Sequence, residues 1–351
     1  MRCKMSFTYE KREQIKRYIL EKISESNIDV VKKTSMTFNI SLNTVYRYLR
    51  QLENDLIIEK KGNTYDFVTI SSTIHLQRSK NQLLEEDIIY DEYLKEYIGT
   101  GDYLPENVVK IWEYSFMEMM NNAIDHSMAE HVYLSIYQNY INTTVMIQDN
   151  GIGIFRKIKE YYKYNSLDDA VNELFKGKLT TDSKNHSGEG IFFTSRALDR
   201  FAAISDGKIF THDKYVDVLN DLENIKSLRN WKNYKGTIIY MELSNFSNKT
   251  LKEVFGMFSN EDGGFTRTRI PIKNIYETYP VSRSQAKRLC NRFDKFKEVE
   301  LDFSGIDDIG QGFAHEIFVV FQNSHKDVKI IPINTSSDVE KMINHVKSSE
   351  L

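Results

Sequence analysis

Four short motifs follow one another in an order that constrains the fold more than any of them does alone. The stretch ENVVKIWEYSFMEMMNNAIDHSM, residues 106–128, has the periodicity of one long helix. Its apolar stripe is Val109, Trp112, Phe116, Met120 and Ala123, spaced three and four apart. Glu118, Asn122 and Asp125 share a second, polar face at i, i+4 and i+7. Two strands come next, HVYLSIYQN and TTVMIQD, joined by a tight turn at 140–142. The second runs directly into Asp149-Asn150-Gly151-Ile152-Gly153. Ser187-Gly188-Glu189-Gly190 then precedes an apolar helical pattern over 191–201, and Lys235-Gly236-Thr237 opens the strand TIIYMEL.

Each motif carries a chemistry. A carboxylate one turn before a carboxamide suits ATP hydrolysis. The amide oxygen of Asn122 can complete a Mg²⁺ shell without dehydrating it fully, and Glu118 can accept a proton from an attacking nucleophile. Asp149, an acid at a strand end, can accept the exocyclic amine of adenine, while Gly151 and Gly153 let the backbone approach ring and ribose. Asp-Asn-Gly is also a hairpin signal, but Ile152, Ile154 and Phe155 fit a loop folded back on the core better than a solvated turn. Gly188 and Gly190 at a helix start aim N–H groups and the positive helix end at phosphates. Lys178, Thr180, Thr181 and His186 are expected to form a mobile lid over the triphosphate. Thr237 is expected to reach the adenine held by Asp149, directly or through water.

This order of motifs, over about residues 105–246, resembles the GHKL superfamily, which groups type II topoisomerases, the Hsp90 and MutL ATPases, histidine kinases and anti-sigma-factor serine kinases. The resemblance implies an α/β sandwich, a mixed sheet under helices, with ATP and Mg²⁺ as ligands. By it, Glu118 matches the general base and Asn122 the Mg²⁺ ligand. Asp149 matches the adenine acceptor, Gly151 and Gly153 the first glycine box, Gly188 and Gly190 the second, and Thr237 the adenine-side threonine. His126 sits where serine-kinase members also carry histidine, or serves as a structural cap.

Residues 1–70 form a separate unit ahead of this domain. Ile15, Ile19 and Ile23 mark a helix over 8–24, a short helix follows over 30–37, and Ser41 is a natural N-cap for a third, SLNTVYRYLRQLEND. Val45, Leu49 and Leu52 fall on one face of that helix, and Asn43, Tyr46, Arg47 and Arg50 on the other. LIIEKKGNTYDFV reads as two short strands around 62–63. The segment resembles the winged helix-turn-helix family, whose third helix lies in the DNA major groove, with Arg suited to phosphate or guanine and Asn to adenine. Such domains also mediate protein contacts alone. Charge follows the same division: residues 1–62 hold thirteen Lys and Arg against eight Asp and Glu, so the remainder of a chain at −3 carries −8. Residues 71–104 read as a charged, partly helical connector.

Residues 265–351 alternate strand and helix, which predicts an α/β unit with part of its sheet parallel. LDFSGIDDIGQGFAHEIF resembles the STAS fold of anti-sigma-factor antagonists, and more closely the STAS-like relatives that follow GHKL domains. In regulatory STAS domains a serine at the helix start accepts phosphate from a GHKL kinase. Here the matching positions are Gly310, Gln311 and Gly312, with no hydroxyl, and Ser304 is expected to be structural. A histidine kinase should carry a phosphoacceptor His on a dimerisation helix. His75 lacks the acidic neighbour and downstream proline of that motif, so this reading is set aside.

The favoured expectation is a multidomain α/β protein, a nucleotide-driven regulatory switch, with duplex DNA at residues 1–70, a protein partner at the STAS-like unit, and a homodimer by resemblance. A serine/threonine kinase and a non-hydrolysing transcription regulator are the alternatives. Cys3 and Cys290 have no companions at metal-site spacing and fit a reducing cytoplasm. No apolar run reaches the roughly 18 residues of a membrane span, and MRCKMSFTYEKRE turns charged too early for a signal peptide.

Overall fold

The computed structural model describes residues 7–25, 29–78, 84–98, 104–179, 188–212, 230–260, 264–276 and 278–348. The chain divides into two compact units, 1–72 with 137–143, and 73–136 with 144–351. The first holds α1 (Tyr9–Ser24), α2 (Val30–Phe38) and α3 (Leu42–Asn54), then the antiparallel pair β1 (Ile58–Lys61) and β2 (Thr64–Phe67). Ser41 caps α3 by accepting from the Thr44 N–H at 3.2 Å, satisfying a donor that the first helical turn leaves over. Ile15, Ile19, Val45 and Leu49 close the small core.

The second unit is built on a six-stranded sheet in the order β3-β4-β5-β8-β6-β7. Its edge strand β3 (Ile70–Gln77) falls where the sequence reads as connector. Leu76 turns into the core while His75 and Gln77 stay exposed, a period-two pattern that charged neighbours obscure. α4 (Glu86–Ile89) passes through a π turn (Tyr90–Leu94) into α5 (Lys95–Ile98), the helical part of that stretch. α6 (Glu106–Asn121) follows and runs into a second π turn, Asn122–His126. β4 (His131–Gln138) and β5 (Asn142–Asp149) come next, then α7 (Ile154–Tyr162), α8 (Leu167–Leu174) and α9 (Gly190–Ala197). β6 (Arg200–Ser205), β7 (Lys208–Thr211) and β8 (Ile238–Ser244) complete the sheet. The helix expected over 191–201 stops at Ala197, and Phe201 pairs with Met241 as part of β6. An apolar run without clear period fits strand or helix, and here the place between β7 and β8 decides it.

Beyond α10 (Leu251–Phe258) lie β9 (Arg267–Pro271), α11 (Arg283–Cys290), β10 (Glu298–Asp302), α12 (Gln311–His315), β11 (Lys329–Ile333) and α13 (Ser337–Ser348). The three strands form an all-parallel sheet, β11-β10-β9, as the alternation of strand and helix predicts. Ser304 is held at the end of β10, its N–H and Oγ–H both donating to Asp302 Oδ1 at 3.0 and 2.7 Å.

A buried ion cluster joins α8 to the end of α11. Glu173 accepts from Lys176 at 2.5 Å and from Arg292 at 3.1 Å, and the Lys176 side chain is 1% exposed. Burial lowers the Lys176 pKa and the Glu173 charge opposes that shift. Glu173→Ala leaves two cations without their carboxylate in a dry site. Denaturant titration is expected to show a loss of about 3–5 kcal/mol.

Candidate functional site

A cleft of about 240 Å³ opens between α6, the ends of β5 and β8, and the segments on either side of the two glycine motifs. It is lined by Glu118, Asn122, His126, Asp149, Gly153, Gly188, Gly190 and Thr237. Residues drawn from four distant stretches of chain therefore meet in one place.

Asp149 anchors the cleft floor. It is 4% exposed, and its Oδ1 accepts from the Gly151 N–H at 2.8 Å and the Thr237 N–H at 3.3 Å. Burial pushes its pKa up to about 6 against the pull of those donors. The backbone couples the same residues, since Asp149 N–H donates to Thr237 O at 2.9 Å. Thr237 Oγ1 accepts from the Ile154 N–H at 3.1 Å, which fixes the start of α7. The Asp-Asn-Gly stretch is therefore a loop folded back on the core. Its Gly153 has φ +83°, in the region that favours glycine, and a Cβ there would lie 2.3 Å from Lys235 O. Asn150 Oδ1 accepts from the N–H groups of Glu130 and His131, and Ile152 N–H donates to Ser127 O at 2.9 Å. These bonds pin the loop to the chain that leaves α6.

The opposite wall is α6 itself. Gly190 approaches Glu118 so closely that a Cβ on it would meet Glu118 Oε2 at 2.0 Å. Asn122 begins the π turn, and the wider turn changes which later residues follow it around the axis. His126 lines the cleft, whereas Asp125, expected on the face of Glu118 and Asn122, is exposed outside it. A face drawn at 3.6 residues per turn does not survive a turn of different pitch.

Gly151 contributes its N–H to Asp149 from behind the lining. Lys178 departs from its expected place over a triphosphate. Its Nζ donates to Lys295 O at 3.0 Å and lies 5.0 Å from the Phe296 ring centre, so the ammonium faces the C-terminal region. Thr180, Thr181 and His186 lie outside the described residues. Lys157 was not anticipated. It lines the cleft one turn into α7 and donates to His126 O at 2.8 Å. Its signal is its position four residues after Gly153, on the first turn of the helix that the loop starts. Ile147 and Ile239, each two residues from Asp149 or Thr237 along its strand, add apolar lining.

In the first unit, Asn43, Tyr46, Arg47 and Arg50 are all exposed on α3, while Val45, Tyr48, Leu49 and Leu52 are buried. His75 lies on strand β3, stacked 4.7 Å from the Tyr133 ring, and on no helix.

Comparison with known proteins gives two similarities. Residues 285–340 match the model of a STAS-like domain of unknown function (DUF4325). Over 101 residues the chain is 30% identical to the signal transduction histidine-protein kinase/phosphatase DegS of Brevibacillus brevis. That stretch covers 28% of this chain and 26% of the relative, so about a quarter of the relative's length is spanned. Among the described residues, no helix is long and apolar enough to cross a membrane.

The raised pKa of Asp149 has a stability signature. The protonated acid favours the fold, so its contribution is complete below about pH 4 and is lost as pH rises through about 6. At about pH 8 the buried charge costs on the order of 3 kcal/mol. Asp149→Asn keeps an acceptor for both N–H groups and is expected to be stabilising at about pH 8 but not at about pH 4. Denaturant midpoints at the two pH values measure this, and equal midpoints at pH 8 would show a solvated carboxylate.

Proposed function

We propose that the chain binds Mg·ATP in this cleft as a GHKL-type domain and uses it as a regulatory, kinase-like switch. The observation that carries the reading is the convergence of Glu118, Asn122, Asp149, Thr237 and the glycines at 153, 188 and 190 on one cavity. The donor set fits the ligand. The ionised Asp149 offers an acceptor to an exocyclic amine, and Ile147 and Ile239 offer apolar surface to a base. Gly190 packs directly against the Glu118 carboxylate, so a Cβ there would displace it. One carboxamide oxygen, from Asn122, suits a cation that keeps water and phosphate ligands of its own. Magnesium bound there would neutralise charge on the phosphates.

In this reading Gly188 and Gly190 present N–H groups at the start of α9, where the helix end favours anions. Glu118 accepts the proton of the attacking oxygen, whether water or a hydroxyl. The similarity to a histidine kinase/phosphatase favours phosphoryl transfer to a partner as the second reading. The STAS-like domain is the proposed contact for a regulatory protein, and a homodimer belongs to the same proposal. The first unit is proposed as a winged helix that places α3 on duplex DNA, since its exposed face carries Arg47, Arg50 and Asn43.

Glu118→Gln is expected to lower ATP turnover by about 10²–10⁴-fold. Gly190→Ala should act similarly while leaving the fold intact, because its Cβ displaces the flexible end of Glu118. Phosphate release and circular dichroism read the two effects. Turnover unchanged in both variants would remove Glu118 from the chemistry, and a wild type that binds without turnover would make the chain a sensor. Binding to random duplex DNA is expected to weaken with salt, the slope of log affinity against log salt falling by about one for each of Arg47→Ala and Arg50→Ala. Titration at several salt concentrations checks it, and no binding at low salt removes the DNA role.

A further inference from the structure

One wall of the cleft is the segment that leaves α8, through Leu174, Gly177 and Leu179. Four consecutive carbonyl oxygens of that segment are each held by a side chain. Phe175 O accepts from Arg196 at 3.4 Å, and Lys176 O accepts from Thr268 Oγ1 at 2.8 Å. Gly177 O accepts from Arg292 at 3.3 Å, and the same guanidinium donates to Lys178 O. Lys176 reaches back with its ammonium to Asn291 O at 2.9 Å and Arg288 O at 3.2 Å, at the C-terminal end of α11 where a cation is favoured. At its far end the wall touches the second glycine motif, Leu179 N–H donating to Gly188 O at 3.0 Å. Three of the four carbonyl grips thus come from residues 268 and 292, and Arg292 lies inside the stretch matched as STAS-like.

A wall held this way has little freedom to move without Arg292 moving too, because one planar guanidinium spans two carbonyls and the Glu173 carboxylate. We propose that Arg292 is a positioning residue of the nucleotide cleft, which links nucleotide occupancy to the state of the STAS-like domain. The proposal rests on the reading of the cleft as a nucleotide site. Such linkage is reciprocal: whatever shifts residues 288–296 alters nucleotide affinity by the factor with which nucleotide stabilises those residues.

The test is amide hydrogen exchange on the full chain with and without saturating Mg·ATP, alongside calorimetry of variants. Exchange over 288–296 is expected to slow about fivefold or more when nucleotide is bound. Arg292→Ala is expected to weaken Mg·ATP about tenfold, with Arg292→Lys recovering part of the loss. Wild type that binds Mg·ATP with unchanged exchange over 288–296 would overturn the linkage, as would folded Arg292→Ala with wild-type affinity. If Arg292→Ala fails to fold, the exchange result on wild type decides alone. Wild type that takes up no Mg·ATP overturns the nucleotide reading instead, and the linkage with it.

Discussion

A carboxylate withdrawn from water at the end of a central strand must find donors or lose its charge, and Asp149 does some of each. Its Oδ1 takes the N–H groups of Gly151 and Thr237, yet burial still lifts its pKa to about 6. Much of the surrounding architecture follows from supplying those donors. The chain must bend back immediately after β5 to bring the Gly151 N–H round, and β8 must enter beside β5 with Thr237 at the right register. The bend then needs Gly153 in a backbone conformation that suits glycine, and Asn150 and Ser127 hold the loop against α6. In the proposed function, an amine in the cleft supplies the hydrogen bond that burial denies the acid, so ligand and charge stabilise each other.

The other wall depends on a helix that is not regular to its end. The π turn after Asn121 keeps Glu118 and Asn122 on the cleft side while setting His126, not Asp125, beside them. Lys157 ties this wall to the floor, since its ammonium caps His126 O while lining the cavity. An acid, an amide, an imidazole and an ammonium line the cleft together with the apolar Ile147 and Ile239. Their mixture suits a polyanion with a cation more than it suits an apolar ligand.

The C-terminal region enters this site indirectly. Its sheet is built as three parallel strands with helices between them, and its buried residues join those around the six-stranded sheet in one continuous apolar cluster. Its Arg292 and Thr268 set the backbone of the cleft wall, and Lys176 is buried in return at the end of α11. Burying three charges is costly unless each is paired, and here Glu173 pairs with both Lys176 and Arg292.

The elements with strong periodicity or chemistry were legible in the chain: α3 with its divided faces, the long α6, the strand into Asp149, and the alternation after residue 265. Local sterics and side-chain patterning fix such elements before any packing. Three features were decided only by tertiary structure. β3 became a sheet strand because β4 offered it an edge, and Phe201 left a helix for a strand because the sheet had a place between β7 and β8. Lys178 turned from the cleft to the C-terminal region because a carbonyl and two aromatic rings awaited it there. The reason is common to all three. A sequence determines which residue types a segment offers, but the partner that satisfies them lies far along the chain, and only the folded arrangement names it.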